Sequence, residues 1–322
     1  MRSTKSSRPS LDPAAAAAPQ GAAAGFRTPP PASRGRFGAG LAERAAELGG
    51  FLPAVLLFGF FFVVPLGLII AYSFWKTADY EVVHQFTFDN YSYFFSVPAY
   101  VRTLVATLWV SALATALTLV LAFPFAYWLV RHVRPRWQKL LLALVILPFW
   151  TSYLLRIYSW LTILGEKGAI NRGLEGLGII DQPLSLLYNR PAVIVVLAYL
   201  YFPFAALTLY ASLDRFDWNL LRAAMDLGAS PATAFRRILL PQMKVGITTS
   251  VVFVFIPIVG EYLTPQLVGG TRGVMIGNLI VNFFQGAQYT RGAAAALLVA
   301  AVIVTLLVVF RRSLSTRSPY AG

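Results

Sequence analysis

Long apolar runs constrain this chain more than any other feature of its sequence. A helix needs about 20 consecutive apolar residues to cross a bilayer, and the 322-residue chain contains several runs of that length. Backbone polar groups in such runs are satisfied within lipid only when the segment is helical, so the sequence predicts an all-α integral membrane protein. The expected transmembrane helices are 51–75, 101–130, 138–164, 190–213, 244–267 and 292–311.

Two tails flank the predicted membrane domain, which covers residues 49–313. Residues 1–48 are rich in Ala, Pro, Ser and Arg, which predicts a disordered tail with a short helix around residues 41–48 at the membrane surface. Residues 314–322 are the second predicted tail. We expect no cleavable signal peptide, because the first apolar run is too long and no small-residue cleavage site follows it.

The distribution of basic residues predicts the orientation of the chain. Most of its 27 Lys and Arg residues lie in the amino-terminal tail, the loop after the second span, the segment 214–243 and the carboxyl end. The positive-inside rule therefore predicts that both termini and the segment 214–243 are cytoplasmic. Because these charges follow the topology, the formal net charge of +14 does not indicate a nucleic-acid partner.

A polar segment at residues 214–243, which we call the 214–243 loop, interrupts the apolar pattern. It reads DRFDWNLLRAAMDLGASPATAFRRILLPQM, and its central Gly-Ala-Ser-Pro predicts two short helices that meet at an angle. Ser230 is expected to cap the second helix, with Pro231 in its first turn. Leu240-Pro241 is expected to end it. A helix-turn-helix between two spans indicates a docking element for a soluble partner; the alternative is an amphipathic loop with only a packing role.

The 214–243 loop resembles the EAA loop of permeases from binding-protein-dependent ABC importers. That resemblance implies that the loop fits a groove on a cytoplasmic ATPase and carries its movement into the membrane. The expected coupling residues are Arg222, Ala223, Ala224, Asp226, Gly228, Ala229, Ser230, Phe235, Ile238 and Pro241. Arg222 replaces the glutamate usual in the family, which implies a changed partner surface or reliance on Asp226.

Two charged residues, Arg156 and Glu261, fall inside predicted spans at similar depths. Charge within a membrane is costly enough to indicate a function. One interpretation is that the two side chains neutralise each other across a helix interface. The other is that Glu261 offers a carboxylate to a cationic substrate, and the sequence leaves both open.

Prolines and aromatic residues surround these charges. Pro148 precedes Arg156, and Pro257 and Pro265 flank Glu261. Prolines allow membrane helices to bend, and aromatic faces can hold ammonium groups. The expected substrate-pathway residues are Trp150, Tyr153, Arg156, Tyr158, Trp160, Glu261 and Tyr262. For any single aromatic residue, helix packing or an interfacial belt is the alternative.

Three segments extend the resemblance to the first permease of spermidine/putrescine-type importers. They read PFWTSYLLRIYSW, GEYLTPQLVGG and MIGNLIVNFF, and the likeness covers most of residues 51–311. It implies six helices per subunit in a bacterial inner membrane. It also implies a second related permease, two ATPase subunits, a periplasmic solute-binding protein and membrane lipid as partners. The implied cargo is a polyamine such as putrescine or spermidine, with opines and other small organic solutes as alternatives.

Other classes of function fit the sequence less well. There is no G-x-x-x-x-G-K-[ST] motif, so we expect a non-catalytic subunit without its own cofactor, with ATP and magnesium used by the partner ATPase. A secondary transporter or channel with Glu261 as a proton or cation site would leave the 214–243 loop unexplained. Against a membrane enzyme, His84 and His132 lie in predicted connections, there is no cysteine, and no metal-ligand cluster emerges.

Overall fold

The computed structural model describes residues 53–78 and 81–314, with the backbone alone at residues 78 and 310–314. The predicted tails, apart from residue 314, and the predicted surface helix lie outside the described residues. The chain divides into two units, Met1–Phe60 and Phe61–Gly322. Within the first unit, residues 53–60 are helical.

The second unit is built almost entirely from helices. In chain order these are α1 (Val64–Ser73), α2 (Asp89–Ser96), α3 (Pro98–His132), α4 (Pro135–Ile146), α5 (Tyr153–Leu164), α6 (Ala169–Gly176), α7 (Arg190–Asp214), α8 (Asn219–Asp226), α9 (Pro231–Ala234), α10 (Leu240–Gln242), α11 (Lys244–Val259), α12 (Leu263–Val268), α13 (Ile276–Gln285) and α14 (Tyr289–Leu314). A 3-10 turn spans Leu147–Trp150, and π-helical turns span Gly59–Val63 and Phe235–Leu239. A short antiparallel ribbon, β1 (Lys76–Ala78) and β2 (Glu81–Val83), pairs Lys76 with Val83.

Several of these helices are long and apolar enough to cross a membrane. The described residues contain four such helices, or up to six spans if each of two bent pairs counts as one. The four are Pro53–Ser73, Pro98–His132, Arg190–Asp214 and Tyr289–Val309. The bent pairs are Pro135–Trp150 with Tyr153–Gly176, at 94°, and Pro231–Gln242 with Lys244–Val259, at 62°.

The predicted third span, residues 138–164, is a broken helix. Pro148 lies in the first turn of the 3-10 segment, and Thr151 is extended, with φ −85° and ψ 154°. The Thr151 hydroxyl donates to the Pro148 carbonyl at 2.6 Å, which closes the turn. The break therefore comes at residues 151–152, after Pro148, between the 3-10 turn and α5.

The predicted fifth span, residues 244–267, is also interrupted. Pro257 lies inside α11, and the helix continues to Val259. The break comes at residues 260–262, where Gly260 ends α11 and Tyr262 precedes α12. A membrane helix tolerates an internal proline when its neighbours satisfy the freed backbone groups, so Pro257 does not itself end the helix.

Small side chains let α3 and α7, the most extensive helix pair, pack closely. Ala114, Ala122 and Ala126 on α3 are completely buried, as are Ala205 and Ala206 on α7. Helices in membranes associate through such residues because their backbones can then approach each other. This pair is the frame against which the broken helices and the 214–243 loop pack.

Candidate functional site

The carboxylate of Glu261 lies in the break between α11 and α12. Its Oε1 accepts hydrogen bonds from the backbone N–H groups of Leu263, at 2.9 Å, and Thr264, at 3.3 Å. These are first-turn donors of α12 that have no partner within the helix. The local backbone thus anchors the carboxylate at the break.

Two tyrosine hydroxyls hold the other carboxylate oxygen. Tyr153, the first residue of α5, donates to Oε2 at 2.6 Å, and Tyr201 on α7 donates at 3.4 Å. The Tyr153 hydroxyl also lies 3.1 Å from Oγ1 of Thr264. We call these four residues, Tyr153, Tyr201, Glu261 and Thr264, the carboxylate site. Every donor to the carboxylate is neutral. These hydrogen bonds satisfy the carboxylate oxygens but bring no positive charge to Glu261.

Arg156 contacts the aromatic ring of Tyr153. Its side chain is only 9% exposed, and its guanidinium carbon lies 4.4 Å from the ring centroid of Phe149 and 5.4 Å from that of Tyr153. Its Nε is buried without a hydrogen-bond partner in the described part of the chain. Tyr153 therefore presents its ring to the cation and its hydroxyl to Glu261. Within residues 53–78 and 81–314, these contacts take the place of a direct Arg156–Glu261 pair.

The remaining predicted pathway aromatics lie apart from the carboxylate. Trp160 packs against Tyr199, with ring centroids 5.4 Å apart, and lines a cavity of about 420 Å³ together with Arg156. Three others are exposed by 86%, 51% and 42% respectively: Trp150, Tyr158 and Tyr262. The structure thus brings together only part of the predicted pathway set.

Sequence reasoning missed Tyr201 and Thr264. Tyr201 belongs to the fourth predicted span, 60 residues before Glu261, and no local pattern connects the two. Its only signal was a polar hydroxyl within an apolar run, two residues before Pro203. Thr264 lies only three residues after Glu261. Its contacts with Glu261 and Tyr153 depend on the first turn of α12, which the sequence pattern did not indicate.

The carboxylate site contains one acidic side chain, Glu261, and the Arg156 guanidinium contacts the ring of its Tyr153. Across the described ranges, no group of three or more His, Cys, Asp or Glu side chains is placed to hold a metal ion. Hard divalent cations usually take several oxygen ligands. A lone carboxylate surrounded by hydroxyls and aromatic rings is instead suited to an organic ammonium group, which it can bind through charge-assisted hydrogen bonds.

The 214–243 loop forms the predicted pair of short helices. Helix α8 ends at Asp226, and Gly228 takes a φ of +91°. Ser230 caps α9 by accepting a hydrogen bond from the Thr233 N–H at 3.2 Å, and Pro231 lies in the first turn, as expected. A Cβ added to Gly228 would meet nothing within 4 Å. Its positive φ, which glycine adopts without strain, therefore sets the requirement for glycine.

The end of the loop differs from the prediction. The chain stays helical through Leu240-Pro241, and the 62° bend falls between Gln242 and Lys244. The Leu240 N–H bonds the carbonyl of Phe235, five residues back. This wider turn leads into α10, where Pro241 occupies the first turn and needs no N–H donor.

One side of the loop packs against the cytoplasmic-predicted end of α3. The ring of Phe235 lies 6.0 Å from Phe123 and 6.2 Å from Tyr127, and Trp218 lies 5.8 Å from Tyr127. The Arg131 guanidinium covers Trp218 at 4.8 Å. Edge-to-face aromatic pairs and a cation over an indole are favourable geometries. They attach the loop firmly to the membrane helices.

The other side of the loop is open. Among the predicted coupling residues, the exposed ones are Arg222, Ala223, Asp226, Gly228, Ser230 and Pro241. Ala224, Ala229, Phe235 and Ile238 are partly buried. Leu227, which the prediction did not include, is 89% exposed at the tip. Its position between Asp226 and Gly228 was the available signal.

Comparison with known proteins identifies the family. Residues 21–317 match the family described as binding-protein-dependent transport system inner membrane component. The chain belongs to this family. The permease is 38% identical over 258 residues to the spermidine/putrescine transport system permease protein PotB of Escherichia coli (strain K12), covering 79% of the permease and 92% of that relative. It is 30% identical over 243 residues to the inner membrane ABC transporter permease protein YdcU of the same strain, covering 71% and 77%.

A solved structure shares the fold of the permease. It is a bacterial alginate ABC transporter in complex with an alginate pentasaccharide-bound periplasmic protein, with a TM-score of 0.70 at 20% identity. The match covers 88% of the permease and all of the other chain. The predicted helical membrane fold and the predicted membership among ABC importer permeases are therefore confirmed. The permease is an inner-membrane subunit of a transport system.

Proposed function

We propose that this permease moves a polyamine, such as putrescine or spermidine, across the membrane in an ATP-driven importer. The observation that carries the proposal is the carboxylate of Glu261, held between broken helices by neutral donors alone. An ammonium group of the cargo can replace the tyrosine hydroxyls at Oε2 and balance the charge. Relatives named as spermidine/putrescine permeases support the same class of cargo.

The proposed assembly contains a second related permease, two ATPase subunits and a periplasmic solute-binding protein. The exposed, charged side of the 214–243 loop supports contact with an ATPase, because its aromatic side is already buried against α3. In this assembly the permease is non-catalytic, and ATP and magnesium are used by the ATPase. The positive-inside rule supports a cytoplasmic location for the loop and for both termini.

Helix α11 connects the two regions mechanically. One end follows the 62° bend after Gln242, and the other leads directly into the break that contains Glu261. ATPase movement transmitted through the loop tilts α11 and changes the distance between Glu261 and Tyr153. Cargo biases this equilibrium only if it binds one arrangement better than the other. Replacement of the Tyr153 hydrogen bond by an ammonium supplies that difference.

Uptake of labelled putrescine and spermidine, by cells with and without the gene and with its partner subunits present, tests the cargo assignment. We expect gene-dependent, ATP-dependent uptake of both amines, and mutual competition between them. A neutral diol of equal length should not compete, since it brings no positive charge to Glu261. Gene-dependent uptake of an opine or another solute, without amine uptake, would overturn the polyamine assignment.

A further inference from the structure

Three arginines converge at one end of the α3–α7 pair. Arg102 lies near the start of α3, Arg190 is the first residue of α7, and Arg272 lies in the loop between α12 and α13. Together they line a cavity of about 520 Å³. All three arginines are exposed, and they belong neither to the carboxylate site nor to the 214–243 loop.

Hydrogen bonds connect the loop between α12 and α13 to the helices that carry Arg102 and Arg190. The Tyr188 N–H donates to the Val268 carbonyl at 2.9 Å, just before α7 begins. At the other end of the loop, the Ile276 N–H donates to Oγ1 of Thr107 on α3 at 2.8 Å. Arg190 Nε donates to the Arg272 carbonyl at 3.0 Å. The loop between α12 and α13 is therefore hydrogen-bonded to α3 and to the start of α7, which places Arg272 beside Arg190.

The cavity is electrostatically positive. Its lining in the described part of the chain contains three arginines and no carboxylate. The amino-terminal ends of α3 and α7 add the partial positive charge of their helix dipoles. Such a concentration of positive charge favours an anionic ligand from outside the chain. It also repels a cationic cargo, and the residues that line the cavity include none of the carboxylate site.

An apolar groove continues directly from this cavity. A second cavity, of about 670 Å³, shares Arg102, Ala106, Arg190 and Pro191 with the first. Its other lining residues are all apolar: Val101, Val105, Trp109, Val110, Leu113 and Ile194. Val105, Trp109 and Leu113 are 49%, 66% and 48% exposed, so the groove opens to the surroundings of the helices. A cationic end joined to an apolar groove matches the two halves of an amphiphile.

We propose that this surface binds one anionic phospholipid. Its phosphate lies among Arg102, Arg190 and Arg272, because guanidinium groups bind phosphate oxygens bidentately. One acyl chain follows the groove between α3 and α7. From Arg102 to Leu113, α3 rises about 16 Å, close to the roughly 15 Å of hydrocarbon in one leaflet. A free phosphate or an acidic protein surface would use the arginines and leave the groove unexplained.

The headgroup is tested on the importer assembled with its partner subunits. Native mass spectrometry compares retention of phosphatidylglycerol with that of phosphatidylcholine carrying the same chains. We expect a preference for phosphatidylglycerol that falls about fivefold for each arginine removed, in Arg102→Gln and in the combined Arg102→Gln, Arg190→Gln, Arg272→Gln variant. Arg172→Gln, an exposed arginine on α6 outside the cavity, should leave the preference unchanged.

The groove is tested separately. Ala106→Phe fills the space that the two cavities share while all three arginines remain. We expect Ala106→Phe to weaken the retention of long-chain phosphatidylglycerol. Trp109→Ala should weaken the same retention without disturbing the core, because Trp109 is exposed. Three results would each overturn the proposal. The first is an equal lipid preference in the wild type and the triple variant, and the second is retention in both groove variants equal to that of the wild type. The third is binding of inorganic phosphate as tight as that of phosphatidylglycerol. Absence of any preference in the wild-type importer would do the same.

Discussion

The 214–243 loop and the carboxylate site differ in how they are assembled. The loop is one continuous segment whose helices, cap and turn are formed by near neighbours, and its open side faces away from the chain. The carboxylate site joins Tyr153 and Glu261 across 108 residues, and Tyr201 and Glu261 across 60. The loop is thus suited to receive force from a partner, whereas the carboxylate site is suited to respond when helices move. Damage to the two regions should therefore produce different kinds of failure.

The largest effect is expected for Glu261→Gln. Glutamine keeps the shape and an oxygen for the α12 N–H groups but removes the charge. Losing one partner of a desolvated charge pair costs about 2–5 kcal/mol, so amine uptake should fall about 30-fold or more. Copurification of the ATPase measures assembly and should be unchanged. Uptake within twofold of the wild type would remove Glu261 from the cargo pathway.

Substitution at the loop should give a smaller and different defect. Gly228→Ile places a β-branched residue at a φ of +91°, where the strain is about 1–2 kcal/mol. We expect about tenfold slower uptake, with unchanged membrane insertion and an unchanged KM. The matched control is Gly228→Asn, since asparagine tolerates positive φ better. Normal uptake by Gly228→Ile would show that the turn does not transmit movement.

The two tyrosines allow a comparison within the carboxylate site. Tyr153→Phe removes the 2.6 Å hydrogen bond, and Tyr201→Phe removes the 3.4 Å one. A hydrogen bond to a charged group contributes about 1.5–3 kcal/mol. In the proposed exchange the Tyr153 hydroxyl competes with the cargo. Its loss should therefore lower KM about tenfold and also slow the maximal rate.

Tyr201→Phe is the control for that measurement. Its longer hydrogen bond is weaker, so we expect less than about a threefold change in KM. Initial uptake rates over a range of putrescine concentrations give both constants. A larger effect from Tyr201→Phe than from Tyr153→Phe would reverse the assignment of the hydroxyl that the cargo displaces.

The smaller of the two loop effects is expected for Ser230→Ala. Loss of this N-cap removes about 1 kcal/mol from the start of α9, and the aromatic contacts with α3 remain. Uptake should fall by about fivefold or less, and Ser230→Asn should restore it because asparagine also caps helices well. A defect as severe as that of Gly228→Ile, unrelieved by asparagine, would mean that the serine hydroxyl contacts the partner directly.

Local signals explain why most of the fold was predictable. The apolar runs indicated the membrane helices. Gly228, Ser230 and Pro231 indicated the turn and the helix start in the loop, because each acts on backbone groups within a few residues of itself. Pro148 correctly indicated a break, but its 94° angle depends on the helices against which the two halves pack. Pro257 lies inside α11, and the second break follows it at residues 260–262.

By itself, the sequence determined that this chain forms membrane helices and carries a short helix-turn-helix between two of them. Hydrophobic length, proline geometry and helix capping act over a few residues, and each can be read from the letters in order. Only the tertiary structure decided that Tyr153 contacts both Arg156 and Glu261, and that three arginines line one cavity beside an apolar groove. Those arrangements depend on helix angles and on contacts between distant residues, which no local pattern specifies.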